Sequence, residues 1–296
     1  MSIVAHLSDL HLIEREHHKR GSYSRRRLWF LSAGSPLDAR ARMHRTAASL
    51  QAVRRSGADH LVITGDLTED GVQAQFEVLA EVLHDSGIDP HCVTLTPGNH
   101  DGYAEPGAFE RALEGPLRVF RKTSRHGAHT VLNDAVVAPV STMIEGQWIA
   151  RAGGMVRHDD VRSIRKLASD SITRGKAVVV AQHHPPSRHT LSPVSWFDDV
   201  SNADAMRDLV LERTRVHVLH GHMHRTHTRR FCGRHHAQVY ATASVRDEFG
   251  TGQTLRLYKA ADGALHELSS DLPLTRPAPA RSIAAPALGW AAAASS

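Results

Sequence analysis

The sequence predicts an α/β fold, and three observations carry that prediction. Short apolar runs of four or five residues alternate with longer segments of helical periodicity. Most of these runs stop at a polar cluster rich in Asp, Asn or His. Neither an internal repeat nor an interdomain linker interrupts the pattern, so one domain is expected over residues 1–272, with a Pro- and Ala-rich tail at 273–296.

The elements follow in order. Ile3–Leu7 is an apolar run that ends at Ser8-Asp9-Leu10-His11. Residues 13–35 form a basic insertion, with six Lys or Arg between Arg15 and Arg27, followed by Trp29-Phe30-Leu31. A helix is expected from Pro36, with Met43, Ala47, Leu50 and Val53 on one face and Gly57 at its end. Leu61–Thr64 is a second strand that stops at Gly65-Asp66. Val72, Phe76, Leu79 and Leu83 mark a helix closed near Gly87. Cys92–Leu95 leads into Pro97-Gly98-Asn99-His100-Asp101, and a helix is expected over Phe109–Phe120. Val136–Val140 and Trp148–Ala150 read as strands, and Val161, Ile164 and Leu167 as a helix. Ala177–Ala181 runs into Gln182-His183-His184-Pro185-Pro186. Met206, Leu209 and Val210 mark a helix, and Val216–Leu219 precedes His220-Gly221-His222-Met223-His224. Val239–Thr242 and Leu255–Tyr258 complete the expected strands.

Composition sets the limits. A hydrophobic fraction of 41% suffices for a core, and an aromatic fraction of 5% means that aliphatic side chains fill it. Two cysteines, Cys92 and Cys232, exclude a disulfide scaffold and fit a reducing compartment. The N-terminus lacks the basic and apolar regions of a signal peptide, and no run approaches the roughly 18 apolar residues of a membrane span. The cytoplasm is the expected location. A net charge of +5 suits an anionic substrate without identifying one.

The chemistry sits at the strand ends. Ligands of α/β sheets bind at the carboxyl edge, where residues distant in sequence meet. Five clusters deliver Asp9 and His11, Asp66, Asn99 and His100, His183, and His222 and His224. Oxygen and imidazole donors suit Zn, Mn or Fe. Asp9 and His11 are two residues apart, as are His222 and His224, so each pair can point to one centre in an extended segment. Taken singly, Asp9-Leu10-His11 reads as a cap or turn, as do Gly65-Asp66 and Gly98-Asn99-His100-Asp101. Their joint occurrence favours a metal site.

Together the blocks Asp9-x-His11, Gly65-Asp66, Gly98-Asn99-His100-Asp101, His183 and Gly221-His222-x-His224 resemble the calcineurin-like metallophosphoesterase superfamily, in the family's order. The resemblance implies a four-layer α-β-β-α sandwich with two mixed sheets packed face to face. It implies two divalent or transition-metal ions (Mn, Fe or Zn). Asp9, His11 and His224 would hold one, Asn99, His183 and His222 the other, and Asp66 would bridge them. His100 would act at the leaving-group oxygen, oriented by Asp101. The same pattern gives His184 a supporting role, and His220 a structural one.

The Arg that grips a monoester in protein Ser/Thr phosphatases has no match. Ser8-Asp9-Leu10-His11-Leu12, Gly65-Asp66-Leu67-x-x-x-Gly71, Gly98-Asn99-His100-Asp101 and His183-His184-Pro185-Pro186 are closer to the class III cyclic nucleotide phosphodiesterases and glycerophosphodiesterase-like bacterial enzymes. A phosphodiesterase acting on a small anionic phosphate ester by metal-activated hydroxide is therefore expected. A nuclease, a broad phosphomonoesterase and a non-catalytic scaffold are the alternatives. The complete ligand set disfavours the scaffold, and the scarcity of aromatics for stacking bases disfavours nucleic acid. A homodimer is left open. The 13–35 segment is expected to be a solvated loop, part of the substrate entrance, or a contact surface.

Overall fold

A computed structural model describes residues 1–122, 128–149, 151–187, 200–246 and 254–268. The Pro- and Ala-rich tail expected at 273–296 lies outside them.

Two sheets form the frame. In the first, the parallel strands β1 (Ser2–Leu7), β2 (His60–Thr64) and β3 (Val93–Thr96) lie side by side in that order. Its far edge is the antiparallel pair β12 (Arg256–Ala261) and β13 (Ala264–Leu268). The second sheet has six strands among the described residues. Its parallel centre is β5 (Ala135–Pro139), β7 (Ala177–Ala181), β9 (Val216–His220) and β11 (Val239–Ala241). Antiparallel edges are added by β4 (Thr130–Val131) and β10 (His227–Arg229). Two short strands, β6 (Gly154–Met155) and β8 (Val200–Ser201), pair separately.

Strand alternation builds the layers. Val4 and Val62 of the first sheet pack with Val137, Val179 and Leu219 of the second in one cluster, which is the space between the sheets. Ala5, Leu61 and Ile63 point the other way, onto α2 (Ala39–Ser56), α3 (Gln73–Asp85) and α4 (Ala108–Glu114) through Leu50, Phe76, Leu79 and Phe109. On the opposite flank Val178, Val180 and Val218 meet α5 (His158–Ser169) and α6 (Ala203–Glu212) through Ile164, Met206 and Leu209. The result is the four-layer sandwich that the resemblance implied.

The local differences from expectation have physical reasons. The helix expected from Pro36 starts at Ala39, because the Asp38 side chain accepts from the backbone N–H of Ala41 and fixes the N-cap there. The helix expected over Phe109–Phe120 stops at Glu114, and a 3-10 turn at Arg118–Phe120 replaces its second half. Gly115 caps it and Pro116 cannot continue it. Trp148 and Ile149 form no strand, and Ala150 lies outside the described residues. Conversely β10 went unread because all three of its residues are exposed and polar, which leaves no apolar pattern. The 13–35 segment is no loop: it contains a 3-10 turn, His17–Lys19, and the helix α1 (Ser22–Leu31). Leu28 of α1 is buried against Ile13 and Ala39.

Phe76 is fully buried between α3 and the first sheet, with its ring centroid 6.3 Å from that of Phe109. Phe76→Ala should lower unfolding stability by about 3–5 kcal/mol. Urea denaturation followed by circular dichroism would measure it, and a loss below about 1 kcal/mol would contradict a tightly packed helical layer.

Candidate metal centre

Parallel strands deliver the polar clusters to one edge. A chain leaving an extended strand must turn sharply if its side chains are to face back toward the neighbouring strand ends. Five residues do this by adopting left-handed backbone: Asp9 (φ 56°), His11 (φ 48°), Asp66 (φ 46°), His222 (φ 68°) and His224 (φ 50°). That conformation is uncommon for residues with a Cβ and clusters at functional sites. Among the described residues only Ala33, Asn202 and Asp262 are other non-glycine cases.

The expected ligands meet in two groups joined by one carboxylate. In the first, His224 Nε2 lies 3.2 Å from Asp9 Oδ1 and 3.3 Å from His11 Nε2. In the second, His183 Nε2 lies 3.2 Å from Asn99 Oδ1 and 3.3 Å from His222 Nδ1. Asp66 Oδ2 faces both, 3.7 Å from His11 Nε2 and 3.3 Å from His183 Nε2. Asp9, His11, Asp66, Asn99 and His183 are buried, whereas His222 and His224 are half-buried and mark the side open to solvent.

This donor set fits metal ions. Imidazole nitrogens converge in both groups, His11 Nε2 on His224 Nε2 and His222 Nδ1 on His183 Nε2, each at 3.3 Å. Ligand atoms held at about 2.1 Å by one tetrahedral ion stand roughly that far apart. The tautomers agree. His183 Nδ1–H donates to the Thr64 carbonyl at 2.7 Å, which leaves the Nε2 lone pair for the centre. Tyr103 Oη, 2.9 Å from Asn99 Nδ2, takes the amide N–H and turns Oδ1 inward.

The electrostatics follow from burial and crowding. Burial pushes the Asp66 carboxyl up, but His183, His100 and His11 outweigh it and hold the group well below the ordinary carboxylate range. Burial pulls His183 down, but Asp66, Asp9 and the Thr64 carbonyl raise it to about 9. Burial, with His222 and His183 alongside, keeps His184 well below the ordinary histidine range. Both His184 ring nitrogens are engaged, Nδ1 by Thr142 Oγ1 at 2.8 Å and Nε2–H by the Ala152 carbonyl at 2.9 Å. His220 Nδ1 lies 3.0 Å from the Gly221 carbonyl, beside the ligand loop.

His100 stands at the rim, with Nε2 4.0 Å from Asp66 Oδ2. Asp101 does not orient it. The Asp101 carboxylate accepts from Gly98 N, Leu67 N, Thr68 N and Thr68 Oγ1 at 2.7–3.1 Å, and so clamps two ligand loops together. Burial, with Asp66 nearby, pushes Asp101 up to about 6 even so. The His100 ring is held instead by Nδ1–H donating to the Glu69 carbonyl at 2.7 Å. The Glu69 side chain is equally central: its Oε2 lies 3.5 Å from His11 Nδ1, and it pairs with the buried Arg42. Arg42 in turn donates to the His11 carbonyl at 2.7 Å, and Arg246 Nη1 approaches Glu69 Oε1 at 3.6 Å. Sequence reasoning missed Glu69, Arg42, Tyr103 and Arg246. Glu69 lay in plain view within Gly65–Gly71, three residues after Asp66, whereas nothing local distinguishes the other three.

The comparisons agree with this geometry. The family model for calcineurin-like phosphoesterases matches residues 3–226. The chain belongs to that family. A probable cyclic nucleotide phosphodiesterase of Psychrobacter sp. (strain PRwf-1) is 28% identical over 202 residues, which are 66% of this chain and 54% of that protein. One from Psychrobacter arcticus is 29% identical over 204 residues, 64% of each chain. The chain thus spans less than two thirds of the length of these two relatives. A relative with the same description from Pseudoalteromonas sp. (strain SM9913) is 25% identical and covers 83% of this chain and 79% of its own. Among solved structures, a dimetal phosphatase from Danio rerio superposes with a TM-score of 0.62 at 12% identity, covering 88% of this chain and 93% of that one. At that identity the likeness shows a shared fold. Membership of the family implies divalent metal ions, for which the Asp and His clusters are the candidate holders.

Two outcomes test the centre. A Cβ added at Gly98 would fall 2.2 Å from Asp66 Oδ1, so Gly98→Ala should displace the shared carboxylate. Metal content should fall with the circular dichroism spectrum unchanged, and full metal occupancy would contradict the close approach. Because the metal-free His183 carries a proton up to about pH 9, metal uptake near neutral pH must expel it. Apparent affinity should therefore rise as pH climbs toward 9, and calorimetry in buffers of different ionisation enthalpy should register proton release. Uptake that is independent of pH would refute the assignment of His183.

Proposed function

We propose that this phosphoesterase is a dinuclear-metal phosphodiesterase that hydrolyses a small phosphodiester such as a cyclic nucleotide. The observation that carries the reading is the Asp66 Oδ2 atom shared between the two donor groups. Asp9, His11 and His224 would hold one ion and Asn99, His183 and His222 the other, with Asp66 facing both groups. The N/O donor set suits Mn, Fe or Zn. Bound there, such ions supply a nucleophile from water at neutral pH and neutralise phosphoryl charge.

The protein's own residues do the rest. The Asp66 carboxylate is fixed by the His100 backbone N–H, 2.9 Å from Oδ1. Glu69 and Arg42 restrain His11 from its far side, and Tyr103 restrains Asn99. With Nδ1–H held on the Glu69 carbonyl, the His100 ring takes its second proton at Nε2, the atom facing the centre. From there the proton passes to the leaving oxygen as the phosphorus–oxygen bond breaks, and the ring returns to its neutral Nδ1–H form. Preference for a diester is supported by the descriptions of the sequence relatives and by the unmatched monoester-gripping Arg. Two free cysteines fit a cytoplasmic setting for the domain over 1–272.

The test is a panel of bis(p-nitrophenyl) phosphate, p-nitrophenyl phosphate, cyclic AMP and single-stranded DNA, with wild type and His100→Ala. Wild type should favour the small diesters. The variant should keep its metals and lose roughly 100- to 10,000-fold on cyclic AMP. Its loss on the nitrophenyl diester, whose leaving group needs no proton, should be smaller. Preference for the monoester or for DNA would overturn the substrate class, and equal losses would overturn the general-acid role.

A further inference from the structure

Helix α1 carries its own apolar and cationic surface. Tyr23 is 76% exposed, Trp29 68% and Phe30 51%, so three of the eight exposed large hydrophobic residues among those described sit on one ten-residue helix. Tyr23, Arg26 and Phe30 form one row at three- and four-residue spacing, and Ser22, Arg25 and Trp29 form the adjacent row. Ser22, Arg25, Arg26 and Trp29 line a shallow recess between them. The opposite side is anchored: Leu28 packs on Ile13 and Ala39, and Arg27 pairs with buried Asp70.

The other cations of the segment are also engaged. Arg15 pairs with Glu81, Lys19 with Glu16, and Arg20 with Glu14 and Asp70. Arg25 and Arg26 remain exposed beside the aromatics. No acidic residue occurs in the helix.

We propose that this face of α1 docks the protein on an anionic membrane surface. Tryptophan, tyrosine and phenylalanine prefer the headgroup boundary, and interleaved arginines add attraction to anionic lipid. Charge complementarity separates this partner from a second copy of the chain. A two-fold contact through this face would set Arg25 and Arg26 against the same arginines with no carboxylate on the helix to receive them. A single-stranded nucleic acid needs a continuous cationic groove, and here four of the six cations are already paired. The docking face is also tied to the centre. Arg42 binds Ser32 Oγ and the Pro36 carbonyl, just beyond α1, together with the His11 carbonyl.

The test reads binding rather than hydrolysis, so it stands apart from the substrate assignment. The full chain is sedimented with vesicles of phosphatidylcholine alone or mixed with phosphatidylglycerol. Wild type should co-sediment with the anionic vesicles only and be released by high salt. Arg25→Gln with Arg26→Gln should weaken association about 30-fold, and Trp29→Ala at least about ten-fold. Both variants should keep wild-type circular dichroism and wild-type rates on bis(p-nitrophenyl) phosphate. Absent association with anionic vesicles, or equal association of both variants, would overturn the proposal. It would also fall if sedimentation velocity showed Trp29→Ala dissociating a dimer while vesicle binding stayed unchanged. Tighter binding of α1-dependent protein to a single-stranded oligonucleotide than to vesicles would give the face to nucleic acid and likewise overturn it.

Discussion

One carboxylate oxygen, Asp66 Oδ2, stands between two sets of imidazole and carbonyl donors, and much of the surrounding structure keeps it there. Its partner oxygen accepts from the His100 backbone N–H. Gly98 lets the loop carrying Asn99 pass close enough to touch it. Asp101 fastens that same loop to Leu67 and Thr68, immediately after Asp66. Concentrating so many donors in a buried space is electrostatically expensive for a metal-free protein, and left-handed backbone at five of the candidate donors adds strain. The sandwich supplies what opposes both, because Val and Ala side chains filling the space between the sheets hold the strand ends in register.

Behind the ligands lies a second ring of buried polar groups. Glu69 serves two histidines by two routes, its carboxylate toward His11 and its carbonyl toward His100. Arg42 neutralises that carboxylate and reaches the backbone of His11 and the end of the 13–35 segment in the same step. One guanidinium thus joins the backbone of His11 to Ser32, the residue that follows α1.

Much of the fold was legible because burial imposes period. Val4, Val62, Val179 and Val218 lie in runs that only a covered sheet would use, and α2 and α3 show their apolar stripes plainly. What escaped had no such signature. The residues of β10 are exposed, and α1 hides Leu28 behind three consecutive arginines. Gly115-Pro116 divided a helix whose apolar spacing continued past the break.

The sequence by itself determined the candidate donors, since Asp9, His11, Asp66, Asn99, His183, His222 and His224 each follow an apolar run and offer an oxygen or imidazole nitrogen. Their grouping was implied by family likeness, and only the tertiary structure decides which atoms meet. It also reassigned Asp101 from the His100 ring to the loop backbone, and it brought Glu69, Arg42, Tyr103 and Arg246 to the centre. The reason is physical. A ligand at a strand end announces itself through its local setting, whereas a supporting residue is defined by which elements pack beside it, and that is settled only when the two sheets close on each other.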